Sequence, residues 1–165
     1  MKSIYLICLI AFNCFAGEPA AVIPPASQVV VSKFFECVKN GDAVAASMLV
    51  FKCPGTEEQT ESRVRTIVET GKNLRTAPKP ISNLEKSSLA MVIVQDTATR
   101  PDGKPDFDGV LMIKRNQKWL VVMSIAELED STGILSAEER KELESVNDWQ
   151  NSKMQELSVI KTDVK

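Results

Sequence analysis

Two neighbouring segments of this chain carry an apolar side chain at every position rather than at every second one. Val110, Leu111, Met112 and Ile113 form the first, and Trp119, Leu120, Val121 and Val122 the second. Rich in β-branched and aromatic residues and bounded by turn residues, both read as strands. Successive strand residues point to opposite faces, so the sheet they build is apolar on both sides and needs a cover on each. Helices of the same chain supply one cover. A sheet curving onto itself, or a partner, supplies the other.

The helices are found upstream. From Ser27, read as an N-cap, Val30, Phe34 and Val38 recur every four residues with Val31 and Phe35 beside them, an apolar helical stripe that Asn40-Gly41 ends. Asp42 caps a second helix over residues 42–51, with Ala45, Ala46, Met48, Leu49 and Val50 small or apolar, until Pro54-Gly55 stops it. Thr56-Glu57-Glu58-Gln59 has capping-box spacing and opens a third helix to about Thr70, with Val64, Ile67 and Val68 inward. The period then changes. Residues 88–97, 107–114 and 119–123 form an antiparallel meander, its reversals at Pro101-Asp102-Gly103-Lys104-Pro105 and Arg115-Asn116-Gln117, with a shorter strand near residues 79–84. Ser136-Ala137-Glu138-Glu139 is a second capping box, opening a helix to about Leu157 with a thin stripe of Leu143, Val146, Gln150, Met154 and Leu157. The fold class is α+β: N-terminal helices packed on a curved antiparallel sheet, with a C-terminal helical extension as lid or docking element.

The first sixteen residues stand apart. A positive Met1-Lys2-Ser3, an apolar run from Ile4 to Phe12 broken by Tyr5, and Asn13-Cys14-Phe15-Ala16 follow the order of a secretory signal. The run is about half the roughly 20 residues a spanning helix needs. Cleavage after Ala16 places Cys14 and Ala16 at the two small positions, whereas a lipoprotein site at Cys14 would set Phe12-Asn13 where small residues belong. The expected division is a signal peptide at 1–16, a proline-rich linker at 17–26, an α+β domain at 27–127, and a C-terminal helix and tail at 128–165. A secreted or periplasmic protein with no membrane span after signal removal is expected.

Losing the signal also narrows the chemistry. The remaining roughly 149 residues contain no histidine and no tyrosine, and of four cysteines only Cys37 and Cys53. A serine triad cannot be built, and a zinc site would have only two cysteines and carboxylates. Asp102, Asp106 and Asp108 before Gly109 suggest calcium, but counting an EF-hand loop from Asp102 puts lysine third and Ile113 twelfth. No metal and no cofactor is expected. The net charge of −2, which loss of Lys2 with the signal shifts to −3, and the absence of a basic cluster argue against nucleic acid. In an oxidising compartment Cys37 and Cys53 are a disulfide candidate, although a straight helical hairpin holds them near 9 Å apart, beyond the roughly 7 Å limit between Cα atoms. Two buried thiols are the alternative. Lys114, Arg115 and Lys118 read as a solvated basic hairpin tip, and Trp149 as an exposed aromatic suited to a partner surface.

Phe34-Phe35, Asn40-Gly41-Asp42 and Lys114-Arg115-Asn116-Gln117-Lys118-Trp119, in that order between helices and meander, resemble the nuclear transport factor 2-like superfamily of cystatin-like α+β cones. The resemblance covers about residues 28–125. It implies a pocket within the cone, where the superfamily's enzymes set an aspartate base beside tyrosine or histidine partners. Asp96, ending an apolar strand, is the candidate base; the alternative is a strand-end aspartate in water. A base without an oxyanion donor forgoes the largest electrostatic contribution to such catalysis. The functional expectation is an exported, non-catalytic domain holding an apolar small molecule or a protein partner in the sheet's concavity, lined by Phe35, Met91, Ile93, Leu111, Ile113, Trp119 and Val121. A dimerising module, as a homodimer without ligand, and a carboxylate-dependent isomerase or hydrolase of the polyketide-cyclase type are the alternatives.

Overall fold

The computed structural model describes residues 25–74, 76–99, 105–130 and 133–159. The expected signal, most of the linker, the centre of the 101–105 turn and the last six residues lie outside them. Helices α1 (Ala26–Asn40), α2 (Ala43–Met48) and α3 (Glu57–Gly71) precede strands β1 (Lys79–Glu85), β2 (Leu89–Thr99), β3 (Pro105–Arg115) and β4 (Lys118–Val121), followed by α4 (Ile125–Asp130) and α5 (Ala137–Val159). The strands form one antiparallel sheet in the order β1-β2-β3-β4. The α+β architecture is therefore that of the sequence reading.

The unbroken apolar runs are used on both faces. Ala90, Val92 and Val94 of β2, Met112 of β3, and Trp119 and Val121 of β4 face α1, α2 and α3, meeting Val31, Phe34, Val38, Ala46, Val64 and Val68. On the other face, Leu89, Met91, Ile93, Leu111 and Ile113 join Leu128 of α4 and Leu143 and Val146 of α5. Register makes this possible, because Met91 pairs with Leu111 and Leu89 with Ile113, so that partners share a face. The result is three layers, helix, sheet and helix. One face of α3 comes so close to α1 that a Cβ at Gly71 would lie 2.2 Å from Val38 Cγ1.

Several local expectations change. Ser27 is a buried residue inside α1 rather than its N-cap, and its N–H and hydroxyl donate to Glu85 Oε1 at 2.9 and 2.5 Å. A carboxylate from β1 thus supplies the acceptor that the free amides of the first turn need. Asp42 does cap α2, accepting from the Ala45 N–H at 2.9 Å. That helix ends at Met48 instead of continuing to Phe51, because Leu49 to Phe51 turn to run beside β4. The Phe51 N–H donates to the Val121 carbonyl and the Val121 N–H to the Leu49 carbonyl, both at 2.8 Å. Thr56 stands at the N-cap of α3, but its hydroxyl donates to the Cys53 carbonyl, so the expected box does not close. The box at Ser136 does close: Glu139 N–H donates to Ser136 Oγ at 3.2 Å and Ser136 N–H to Glu139 Oε2 at 2.8 Å. Helix α4 was not expected.

The disulfide is corrected. Cys37 and Cys53 are both free; Cys37 packs against the core under α1–α3, while Cys53 is buried in the core on the opposite face of the sheet. The chain crosses from one layer to the other between Val50 and Cys53, which separates the thiols. Trp149 is also corrected, being half-buried against the second core instead of exposed.

Candidate functional site

Four of the seven expected lining residues come together. Met91, Ile93, Leu111 and Ile113 form one apolar wall on the face beneath α5. Phe35, Trp119 and Val121 belong to the other core, under α1–α3, so the seven do not line one hollow. Nor does the wall stand open. Each of the four is at most 2% exposed, because α5 lies across β2 and reaches β1. What distinguishes this face is how its cover is attached.

Two carboxylates near the start of α5 bind the ends of two hairpins. Glu142 Oε1 accepts from the Ser87 N–H at 3.2 Å and from the Ser87 hydroxyl, while Oε2 accepts from the N–H groups of Ser88 and Leu89 at 3.0 and 3.1 Å. Burial pushes this carboxyl up, but the hydrogen bonds outweigh it and hold Glu142 below the usual glutamate value. One turn earlier, Glu139 Oε1 pairs with Arg115 Nη1 at 2.6 Å. Arg115 also donates to the Ile134 carbonyl at 3.1 Å and lies over the Phe51 ring. It is thus a half-buried anchor for α5, not part of a solvated hairpin tip. Burial again raises Glu139, and the Ser136 N–H with the Arg115 guanidinium more than reverses it, leaving it lowered.

Beyond these straps the cover is thin. Of its 23 residues, α5 buries only Leu143 and Val146 completely, with Trp149, Met154 and Leu157 packed partly against the core. Polar groups occupy part of the seam. Asn147 Oδ1 is buried without a hydrogen-bond partner among the described residues. The Gln150 amide rests on Gly109, where a Cβ would come within 2.2 Å of Nε2. A permanent core seam is usually apolar or fully paired.

Asp96 is half-buried on β2, where pairing with β3 becomes irregular between Gln95 and Thr99. It lines none of three surface cavities found elsewhere. Asp106 Oδ1 and Asp108 Oδ1 each accept the N–H of the residue that follows, and Asp102 lies outside the described residues. Among the described residues no three of Asp, Glu and Cys converge as metal ligands, and no helix is long and apolar enough to cross a membrane.

Sequence reasoning missed a groove of about 250 Å³ between α2 and α3. Val44 and Met48, 69% and 74% exposed, form its apolar lip. Met48 shares with Val44 the face of α2 away from buried Ala46. Their i, i+4 spacing was the available signal. Lys52 and Arg65 flank Glu61 at 2.6 and 3.7 Å, and Glu57 and Glu58 line the adjoining cleft along α3. The hydrogen bond and charge of Lys52 hold Glu61 below its usual value. A third cavity, between α1 and β1, is lined by Gln28, Ser32, Lys33, Glu36 and Pro80 among others.

No protein-family profile matches this chain, and no curated protein does. Among solved structures it is similar to one described as an NTF2-like transpeptidase from Campylobacter jejuni, with 12% identity over 59% of this chain and 97% of that one, at a TM-score of 0.47. A function-unknown protein from Mycobacterium tuberculosis shares 9% identity over 67% and 78% of the two chains, TM-score 0.40. A calcium/calmodulin-dependent protein kinase II association domain from Xanthomonas campestris shares 17% over 53% and 74%, TM-score 0.32. The architecture stands on the element order and strand pairing given above, not on these likenesses.

Proposed function

We propose that this chain is an exported, non-catalytic binding domain of the nuclear transport factor 2-like kind, whose binding face is the apolar wall of Met91, Ile93, Leu111 and Ile113, with α5 as a removable cover. The observation that carries the reading is the attachment of α5: polar straps at one end, few fully buried side chains, and an unpaired amide oxygen in the seam. A guest gains this wall by displacing α5, since Met91, Ile93, Leu111 and Ile113 are each at most 2% exposed beneath it. Among the described residues, the carboxyls and thiols with displaced pKa values are displaced in the direction that disfavours base and nucleophile chemistry. A general base needs a raised carboxylate pKa and a nucleophilic thiol a lowered one. Glu61, Glu139 and Glu142 are lowered, while burial raises Cys37 and Cys53.

Native-state hydrogen exchange tests the cover. The α5 amides should exchange through an opening that leaves β2 and β3 protected; exchange of all three only by global unfolding would refute it. Export is tested by the mass of the protein recovered outside the cytoplasm, which should begin at Gly17.

The exposure of Val44 and Met48 favours a second reading, a homodimer through α2. A lip flanked by both Lys52 and Arg65 and by Glu57, Glu58 and Glu61 carries both signs, which lets the patch pair with its own copy about a twofold axis. Light scattering should then show a dimer that Met48→Glu dissociates.

A further inference from the structure

We propose that the face beneath α5 is a site for an amphiphile with a carboxylate head and a linear apolar tail, and that α5 is its resident competitor. This deepens, and rests on, the reading of α5 as a cover. The head site is the β1–β2 turn, where the N–H groups of Ser87, Ser88 and Leu89 and the Ser87 hydroxyl converge on a single carboxylate, that of Glu142. Successive backbone N–H groups aimed at one point form an anion-binding concavity. Each carboxylate oxygen takes two of the four donors, which suits a planar two-oxygen head. A phosphate's third oxygen and second charge would find no partner among them.

The tail site begins where the head site ends. Leu89 supplies the last N–H of the turn and is also the first side chain of the apolar wall, followed on the same face by Met91 and Ile93. At about 3.3 Å per residue, Leu89 to Ile93 spans roughly 13 Å. Opposite Ile93 stands Gly109, whose missing side chain leaves a gap now taken by the Gln150 amide. Helix α5 therefore presents a carboxylate in the turn, then Leu143 and Val146 on the wall, and ends the slot with a polar group against an apolar surface. An alkyl carboxylate reproduces the first two features and replaces the amide with methylenes.

The test uses the mature protein and dodecanoate below its micelle concentration, with dodecanol as the matched probe lacking the carboxylate. Hydrogen exchange by mass spectrometry follows residues 137–159 beside β2 and β3. Dodecanoate should speed exchange in α5 several-fold while β2 and β3 stay protected, and dodecanol should not. Glu142→Gln should lower the dodecanoate midpoint several-fold. If that variant already frees α5, added protection of β2 and β3 by dodecanoate becomes the readout. An equal response to both probes overturns the carboxylate inference and leaves the cover reading standing. No response to either, with α5 still opening on its own, overturns the ligand site alone. Loss of protection in β2 and β3 marks detergent denaturation and also overturns it.

Discussion

Glu142 keeps its charge against burial because four donors reach it, and the same donors make it costly to neutralise. Charge-assisted bonds contribute more than neutral ones, and partial exposure reduces them, so Glu142→Gln should cost about 1–2 kcal/mol in urea unfolding at pH 7. The pH dependence has a definite sign. A carboxylate held below its unfolded pKa of about 4.3 stabilises the fold above that value and loses the contribution as pH falls through the lowered one. The gap between wild type and Glu142→Gln should therefore close on acidification. A second residue works against the fold. Asn116 and Gln117 sit at φ 51° and 62° in the β3–β4 turn, where a side chain is disfavoured. Gln117→Gly should raise stability by about 1 kcal/mol in the same experiment.

At the scale of elements, two glycines under helices predict opposite outcomes. Gly71→Ala drives a methyl into the β-branched Val38 of the α1–α3 contact, and should destabilise by about 1–3 kcal/mol despite the better helix propensity of alanine. The nearest atoms a methyl at Gly109 would meet are the flexible end of Gln150, so in Gly109→Ala global stability should hold while exchange of the α5 amides rises. How far these elements were legible in the sequence follows from which forces are local. The strands, the Ser136 box and the Asp42 cap depend on neighbours in sequence, and the pattern showed them. Ser27 misled because its partner, Glu85, is 58 residues away. The second helix was drawn too long because Leu49, Val50 and Phe51 fit a helical run as well as the strand-like course that Val121 imposes on them. Arg115 read as solvent-facing for the same reason, its acceptors lying on α5 and the segment before it. The site was half legible: alternation identified an apolar wall, but spacing along one strand does not say which face each helix will claim.

For the molecule as a whole, the central fact is that one sheet serves two cores with little in common. The α1–α3 side is closed by three helices and a tight glycine contact, the α5 side by polar straps and a sparse stripe. On the proposed reading α5 should open before the layer it leaves behind. The two free thiols turn that asymmetry into something measurable. Cys37 reports from one side and Cys53 from the other, each slowed by burial and nearby carboxylates. Iodoacetamide at pH 7.5 should alkylate Cys53 faster in Glu142→Gln than in wild type, with the Cys37 rate unchanged. Nature has thereby left a stopwatch in each compartment of the fold, and the order in which they run down tells which wall gives way first.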